Sequence, residues 1–135
     1  MAAIDWIKLN LPIDQAVIQP PYLPKFTLYS QRIGFWDGTI DQHMMYLLKG
    51  YHGAGFHRLR SVAGPQAMVL ESGTKHGSLG PGSREYFLSL IKKDLIKIRQ
   101  NYPGYSYLLT ENHNLRGYPK IYSNFSLALY DISEP

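Results

Sequence analysis

The fold is decided by residues 83–110, which read SREYFLSLIKKDLIKIRQNYPGYSYLLT. Ser83 is a favourable helix N-cap. Apolar residues then recur at the three-four-three spacing of one helical face, at Leu88, Ile91, Leu95 and Ile98. The Pro-Gly turn within residues 101–104 ends the helix, and the Tyr- and Leu-rich residues after it favour a strand. This stretch predicts one long helix over about residues 84–100 and a strand over Tyr105–Thr110.

Two smaller elements are predicted in the first half of the chain. Thr, Tyr and Phe residues predict a strand over Phe26–Ile33. The sequence Thr39-Ile40-Asp41-Gln42 matches a capping box, in which the Thr and Gln side chains bond to backbone N–H groups. Gly50 stands where a left-handed cap belongs, so these residues predict a short helix over about residues 40–49.

A hairpin and a loop are predicted before the long helix. The turn signal Ala63-Gly64-Pro65 separates two apolar runs and predicts a hairpin of Phe56–Val62 with Gln66–Glu71. Residues 72–83 are rich in glycine and poor in apolar residues, so we expect an exposed loop there.

The first 24 residues are predicted to form an extended arm. Apolar residues alternate with polar residues or proline through this segment, at Ile7, Leu9, Leu11 and Ile13. A period of two predicts a strand, and Pro12 places it at a sheet edge because proline cannot donate to the ladder. Three prolines between residues 20 and 24 favour extended backbone. We expect such an arm to fold back on its own core or to add a strand to a neighbouring subunit.

Together these elements predict an α+β fold. A strand over Lys120–Asp131 completes a mostly antiparallel sheet, which the long helix covers. The chain of 135 residues is near the usual size for one domain, and no linker or internal repeat divides it. We expect a single domain over residues 1–135, with the arm over 1–24 and a globular core over 25–135.

Composition excludes several classes of protein. The apolar fraction of 44% is typical of a globular chain and argues against disorder. The chain has no cysteine, which excludes disulfides, thiolate metal sites and cysteine nucleophiles. No apolar run is long enough to span a membrane, and the first residues lack the features of a secretory signal. We expect an intracellular or virion location.

Charge and aromatic content point to binding surfaces. The net charge of +4 favours an anionic partner, such as nucleic acid. The basic residues of the long helix are Lys92, Lys93, Lys97 and Arg99. An ordinary solvated helix face is the alternative interpretation of these four residues. The 11 tyrosines outnumber the 5 phenylalanines, which is typical of interfaces and also of half-buried strands.

No catalytic, metal or cofactor motif stands out. The histidines at positions 43, 52, 57, 76 and 113 lack the spacing of a metal site, so we predict neither a metal nor a cofactor. The serines lack a GxSxG elbow. A nuclease hypothesis combines groups that can bind and protonate a phosphodiester, namely His57, Arg58, Arg60, Glu71 and Lys75.

The segment around the glycine-rich loop resembles the acetyl-CoA-binding region of GNAT acyltransferases. The resemblance rests on a strand over Ala67–Glu71, on Gly80-Pro81-Gly82, on the long helix and on the strand at Tyr105–Thr110. It implies an acyl-CoA site at Gly80 and Gly82. Two positions depart from the family. Gly77 replaces its usual basic or Gln residue, and Pro81 removes a backbone N–H where the pyrophosphate would sit, so the family is not adopted.

Three function classes follow. The favoured one is a non-enzymatic structural or interaction protein, a subunit of a larger assembly such as a virion or phage-tail component or an accessory subunit of a complex. Its partners are protein subunits, identical or different. Its predicted contact residues are Ile7, Leu9, Leu11 and Ile13 of the arm and Lys92, Lys93, Lys97 and Arg99 of the helix. The alternatives are a nucleic-acid-binding module that uses the basic helix face and a small enzyme, either a nuclease or a GNAT-like acyltransferase.

Overall fold

The computed structural model describes residues 2–23, 25–37, 51–65, 67, 79 and 82–134. These ranges contain five helices and five strands. In chain order they are α1 (Ala2–Asn10), β1 (Ala16–Ile18), α2 (Phe26–Ser30), β2 (Ile33–Gly34), α3 (Tyr51–Ala63), α4 (Ser83–Leu88), α5 (Lys92–Asn101), β3 (Tyr105–Thr110), β4 (Lys120–Ser123) and β5 (Ala128–Asp131).

The strands form one mixed sheet with the order β2-β1-β3-β5-β4. β1 pairs in parallel with both β2 and β3, and it aligns Ala16 with Ile33 and Ile18 with Leu108. β5 pairs antiparallel with β3 and β4. The α+β class is therefore confirmed, but half of the pairings are parallel and the sheet is not mostly antiparallel. The parallel pairs arise because helices connect β1 to β2 and β2 to β3.

Helices cover both faces of the sheet. α1 and α2 pack on one face, against Val17 and Leu109. α3, α4 and α5 pack on the other face, against Ile18 and Leu108. Side chains alternate between the two faces along a strand, so of two neighbouring residues one packs into the core on each face. A third cluster joins α3 to the buried ring of Trp36.

The strand predicted over residues 7–13 is wrong, because residues 7–10 are the C-terminal part of α1 and, in the described range 2–23, no strand follows them before β1. The buried residues recur at helical spacing, at Ala3, Ile4, Ile7 and Leu11. That pattern outweighs the alternation that continues to Leu9 and Ile13, both of which are 80% exposed. An extended arm over residues 1–24 is wrong for the same reason, and β1 lies inside the sheet between β2 and β3.

The single helix predicted over residues 84–100 is also wrong, since it is divided into α4 and α5. Ser89 follows α4, and its hydroxyl donates to the Tyr86 carbonyl (2.7 Å), which competes with the helical ladder. α5 starts from a new N-terminus, where the Asp94 carboxylate accepts from the Ile91 N–H (3.0 Å). The break leaves Ile91, a predicted core residue, exposed.

Two predicted strands are helices instead. The segment Phe26–Ile33 contains α2, which lies between two left-handed residues, Lys25 and Gln31. The segment Phe56–Val62 belongs to α3. Its buried residues recur at helical spacing, at Leu59, Val62 and Ala63.

The C-terminal strands are predicted more accurately. β3 has the predicted bounds. The predicted strand Lys120–Asp131 is interrupted by a turn, in which the Asn124 side chain accepts from the backbone N–H groups of Ser126 and Leu127 (2.9 and 2.8 Å). β4 and β5 are thus the two arms of a hairpin.

Some predictions fall outside the described residues. These are the helix over 40–49, most of the hairpin strand Gln66–Glu71 and most of the glycine-rich loop over 72–83. Among the helices in the described ranges, none combines the length and apolarity needed to cross a bilayer.

Candidate functional site

A groove lies where α3 faces α4 and α5. At one end the Tyr86 ring packs on Gly64, so closely that a Cβ at this glycine would lie 3.3 Å from the ring. At the other end the Tyr102 hydroxyl is 3.2 Å from His57 Nδ1. The helices separate between these two contacts, and the groove there has a volume of about 1010 Å³.

The groove has apolar and aromatic walls. The buried side chains of Leu90 and Ile98 contribute to it, together with the half-buried ring of Phe56 and the exposed ring of Tyr86. A flat aromatic face in an open groove suits a ligand that can stack.

Most charged groups of the groove are basic. Arg60, Lys97 and His57 are all exposed and line it. The guanidinium of Arg60 is held in place, because its Nε donates to the Ala67 carbonyl (3.2 Å) and its carbon lies 5.1 Å from the centre of the Phe56 ring. Among the described residues that line the groove, Asp94 is the one carboxylate, and it accepts the Ile91 N–H at the start of α5. An anion in this groove would therefore meet more positive than negative charge.

A second, smaller hollow lies beyond the Tyr102–His57 contact and shares Asn101 with the groove. Its volume is about 300 Å³, and Arg58 and Tyr102 contribute to it. The concave surface therefore follows α3 from residue 54 to its C-terminal end.

The structure divides the four basic residues predicted on the long helix into two pairs. Lys92 donates to a carbonyl in the loop after β3 (3.4 Å) and lies over an aromatic ring there. Arg99 donates to carbonyls of β3 and of residue 133 (3.1 Å each). Lys93 and Lys97 are exposed and one helical turn apart, and Lys97 lines the groove. Two of the four residues thus stabilise the fold, and two are available to a ligand.

A second surface surrounds the edge strand β2. Among the described strands, β2 pairs on one side alone, with β1. Large apolar side chains are exposed on the elements that meet there, at Leu9, Ile13, Leu28, Tyr29 and Ile33. We call this set the β2 edge surface. Of the four predicted arm contacts, Leu9 and Ile13 belong to it, whereas Ile7 and Leu11 lie in the core.

Contacts with the backbone bring together the elements that carry the β2 edge surface. Ile33 pairs with Ala16, three residues beyond Ile13. The neighbouring Arg32 donates to the carbonyls of Lys8 and Leu11 (3.0 and 2.5 Å), which flank Leu9 in sequence. The other two members, Leu28 and Tyr29, lie on α2, which contacts α1 and β2.

A polar cluster occupies the carboxyl ends of the parallel strands β1 and β3, where open sheets of this kind commonly bind ligands. The Tyr22 hydroxyl donates to Glu111 Oε1 (2.7 Å), and Arg84 donates to Oε2 (2.5 Å). Burial and the adjacent carboxylate raise the pKa of the Tyr22 hydroxyl, which keeps it protonated as a donor. Both carboxylate oxygens of Glu111 already accept hydrogen bonds, so we interpret this cluster as a structural contact that stabilises the packing of α4 on the sheet.

The histidines and the proposed nuclease residues do not form one cluster in the described structure. His57 and Arg60 line the groove and Arg58 lines the smaller hollow, while Glu71 and Lys75 lie outside the described residues. His113 has both ring nitrogens 2.9 Å from backbone carbonyls, so it is a structural group. Within the described residues, no three His, Asp or Glu side chains form a group that could hold a metal ion.

Comparison of this chain with protein-family models, with curated proteins and with solved structures finds no match. The function is therefore inferred from the two surfaces, the groove and the β2 edge surface.

Proposed function

We propose that this protein is a non-enzymatic interaction protein that self-associates through the β2 edge surface, as a subunit of a larger assembly. The observation that carries the proposal is the exposure of large apolar side chains around an edge strand. Leu9 and Ile13 are 80% exposed, Leu28 65% and Ile33 64%. Surfaces that combine several such side chains typically mark interaction sites.

The edge strand β2 also offers backbone hydrogen bonds, which fix the orientation of a bound partner. β2 has two residues and Gly34 is buried, so the backbone beside the exposed Ile33 is the part of this edge that a strand from another chain would reach. Such pairing supplies backbone hydrogen bonds, and the apolar side chains on either side of the strand supply buried area.

A second copy of this chain is the occupant that the charges favour. The exposed charged residues around the surface have both signs, with Lys8 and Lys25 against Asp5 and Asp14. A two-fold interface places the same surface on both subunits, so each lysine can face a carboxylate of its partner. A partner with a strong charge of one sign would lack this complementarity.

Mass in solution, measured by light scattering over a range of concentrations, tests the proposal. We expect a defined oligomer for the intact chain and a monomer for the double variant Ile13→Lys/Ile33→Lys, since two buried ammonium groups would oppose association. The matched control is Phe125→Lys, because Phe125 is fully exposed on the distant β4–β5 turn. Circular dichroism checks that all three chains are folded.

A monomer at every concentration would overturn the proposal, and so would an oligomer that the double variant leaves intact. Deletion of residues 1–24 is not a suitable test. It would remove α1 and β1, which contribute Ile4, Ile7, Val17 and Ile18 to the two cores.

A further inference from the structure

We infer that the groove between α3 and α5 is a binding site for single-stranded nucleic acid. This inference is independent of self-association, because the groove lies on the sheet face opposite α1 and α2. It assigns a ligand class to residues that the interaction function does not use, chiefly Arg60, Lys97 and Tyr86.

Charge is the first argument. Arg60 and Lys97 line the groove, and Lys93 extends the basic line by one helical turn. Asp94, the one carboxylate among the described residues of the groove, accepts a backbone N–H. A polyanion would release counterions from its phosphates on binding such a surface.

Aromatic surface is the second argument. The rings of Phe56 and Tyr86 are on opposite sides of the groove, on α3 and α4. A basic groove with aromatic side chains is the arrangement by which proteins bind single strands, since phosphates meet the cations and bases stack on the rings. An inorganic anion would make no favourable contact with the apolar walls. The bases of a duplex are stacked inside the double helix and are not available to stack on the two rings.

The extent of the concave surface is the third argument. The groove and the smaller hollow share Asn101, and together they follow α3 from residue 54 to its end at Ala63, which is ten residues or about 15 Å at the rise of an α-helix. Such a length suits several successive nucleotides better than one small ligand. Arg58 also lines the hollow.

The test is fluorescence anisotropy with labelled single strands of about 12 nucleotides, within the range of site sizes for such proteins. Oligo(dT), oligo(rU) and a hairpin duplex are compared between about 50 and 200 mM salt. We expect the single strands to bind more tightly than the duplex. We also expect affinity to fall with salt, with a log–log slope of about −0.7 for each phosphate bound.

Variants with matched controls assign this binding to the groove. Arg60→Ala and Lys97→Ala should each reduce the size of the salt slope by about 0.7. The control Arg116→Ala removes an exposed positive charge from the loop between β3 and β4 and should leave the slope unchanged. Tyr86→Leu should weaken binding about ten-fold because stacking is lost, while Tyr86→Phe should preserve it.

Three outcomes would overturn the inference. The first is no binding of any single strand at the lower salt concentration. The second is equal loss of binding in Arg116→Ala and Lys97→Ala, which would indicate net charge alone. The third is tight binding to vesicles of anionic phospholipid that depends on Arg60 and Lys97 while the oligonucleotides bind weakly, which would assign the groove to lipid. The Ile13→Lys/Ile33→Lys variant should bind oligonucleotides like the intact chain, so failure of self-association is distinguishable from failure here.

Discussion

Gly34, in the edge strand β2, lies against two buried side chains. A Cβ at this position would be 2.8 Å from Gln19 Oε1 and 3.0 Å from the Phe26 ring. The Gln19 amide cannot easily move, because Oε1 accepts the Phe35 N–H (2.8 Å) and Nε2 donates to the Trp36 carbonyl. The glycine thus permits the close packing of α2, β1 and β2.

Gly34→Ala is therefore expected to destabilise the protein by about 1–3 kcal/mol, the usual cost of overpacking. Chemical denaturation followed by circular dichroism measures this change. A midpoint equal to that of the unsubstituted chain would contradict the close approach of Gln19 and Phe26.

The hydroxyl of Tyr22 makes the free energy of unfolding depend on pH in the alkaline range. Its pKa is raised by burial and by Glu111, so in the folded state it stays protonated above pH 10, where an unfolded tyrosine ionises. The unfolded state then binds fewer protons, and the stability that this group contributes is lost as pH rises above about 10. Tyr107 and Tyr118, whose pKa values burial also raises, act in the same direction.

Tyr22→Phe is expected to destabilise the protein by about 1–2 kcal/mol at pH 8, through loss of the hydrogen bond to Glu111. The further loss of stability between pH 9 and pH 11 should be smaller in the variant than in the unsubstituted chain. Urea unfolding at the three pH values measures both effects. The control is Tyr86→Phe, which removes an exposed hydroxyl. An equal pH dependence of stability in the two variants would contradict the role given to the Tyr22–Glu111 hydrogen bond.

At the scale of elements, Arg32 joins the C-terminal ends of two helices. Its side chain is 6% exposed and donates to carbonyls after both α1 and α2. The acceptors are the carbonyls of Lys8, Leu11, Ser30 and Gln31. A cation is favourable there, because the last carbonyls of a helix carry partial negative charge.

Arg32→Leu is expected to cost about 2–4 kcal/mol, since several carbonyls lose a charged donor. Arg32→Lys should recover part of this loss, because one ammonium lacks the planar fork that reaches both helices. The control Arg116→Leu, on an exposed loop, should change stability by less than about 0.5 kcal/mol. Thermal unfolding of the three variants measures the difference. An Arg32→Leu variant as stable as the unsubstituted chain would show that the hydrogen bonds of Arg32 to the two helix ends do not stabilise the fold.

The sequence predicted an element correctly where the local pattern of apolar residues matched the residues that the tertiary structure buries. The bounds of β3 and the C-terminal end of α5 were predicted because a Pro-Gly turn separates a helical period from a Tyr- and Leu-rich strand. α1 was missed because Ile7 and Leu11 fit both a period of two and a helical period. The choice between them depends on burial against β1 and β3, which is a tertiary contact that no local pattern contains.

The candidate groove was predicted only in part. Lys93 and Lys97 were identified as a basic surface, but the roles of Lys92 and Arg99 depend on distant carbonyls. Phe56 was missed because α3 was predicted as a strand, and Tyr86 was missed because its place in the groove depends on the packing of α4 against α3. The signal for α3 was present in the helical spacing of its apolar residues, whereas the approach of α3 to α4 comes from packing alone.

At the scale of the whole molecule, protection from hydrogen exchange should follow the two-sided burial of the sheet. β1, β3 and β5 are covered by helices on both faces, whereas most residues of β4 are exposed. We expect the amides of Ile18, Leu108 and Leu109 to exchange most slowly, with free energies close to that of global unfolding. Exchange monitored by NMR checks this order. Slower exchange in β4 than in β3 would contradict it.

The parallel pairing of β1 with β3 also affects how the chain folds as it is synthesised. Ala16 is opposite Tyr105, so β1 has no partner on that side until about 90 further residues have left the ribosome. At about 5–20 residues per second the wait is on the order of ten seconds. During that interval α1 and β1 have no complete sheet to cover their apolar residues, and a nascent chain of this kind offers a target for chaperones. We therefore expect synonymous changes that slow translation before codon 105 to lower the soluble yield, although the finished protein is identical.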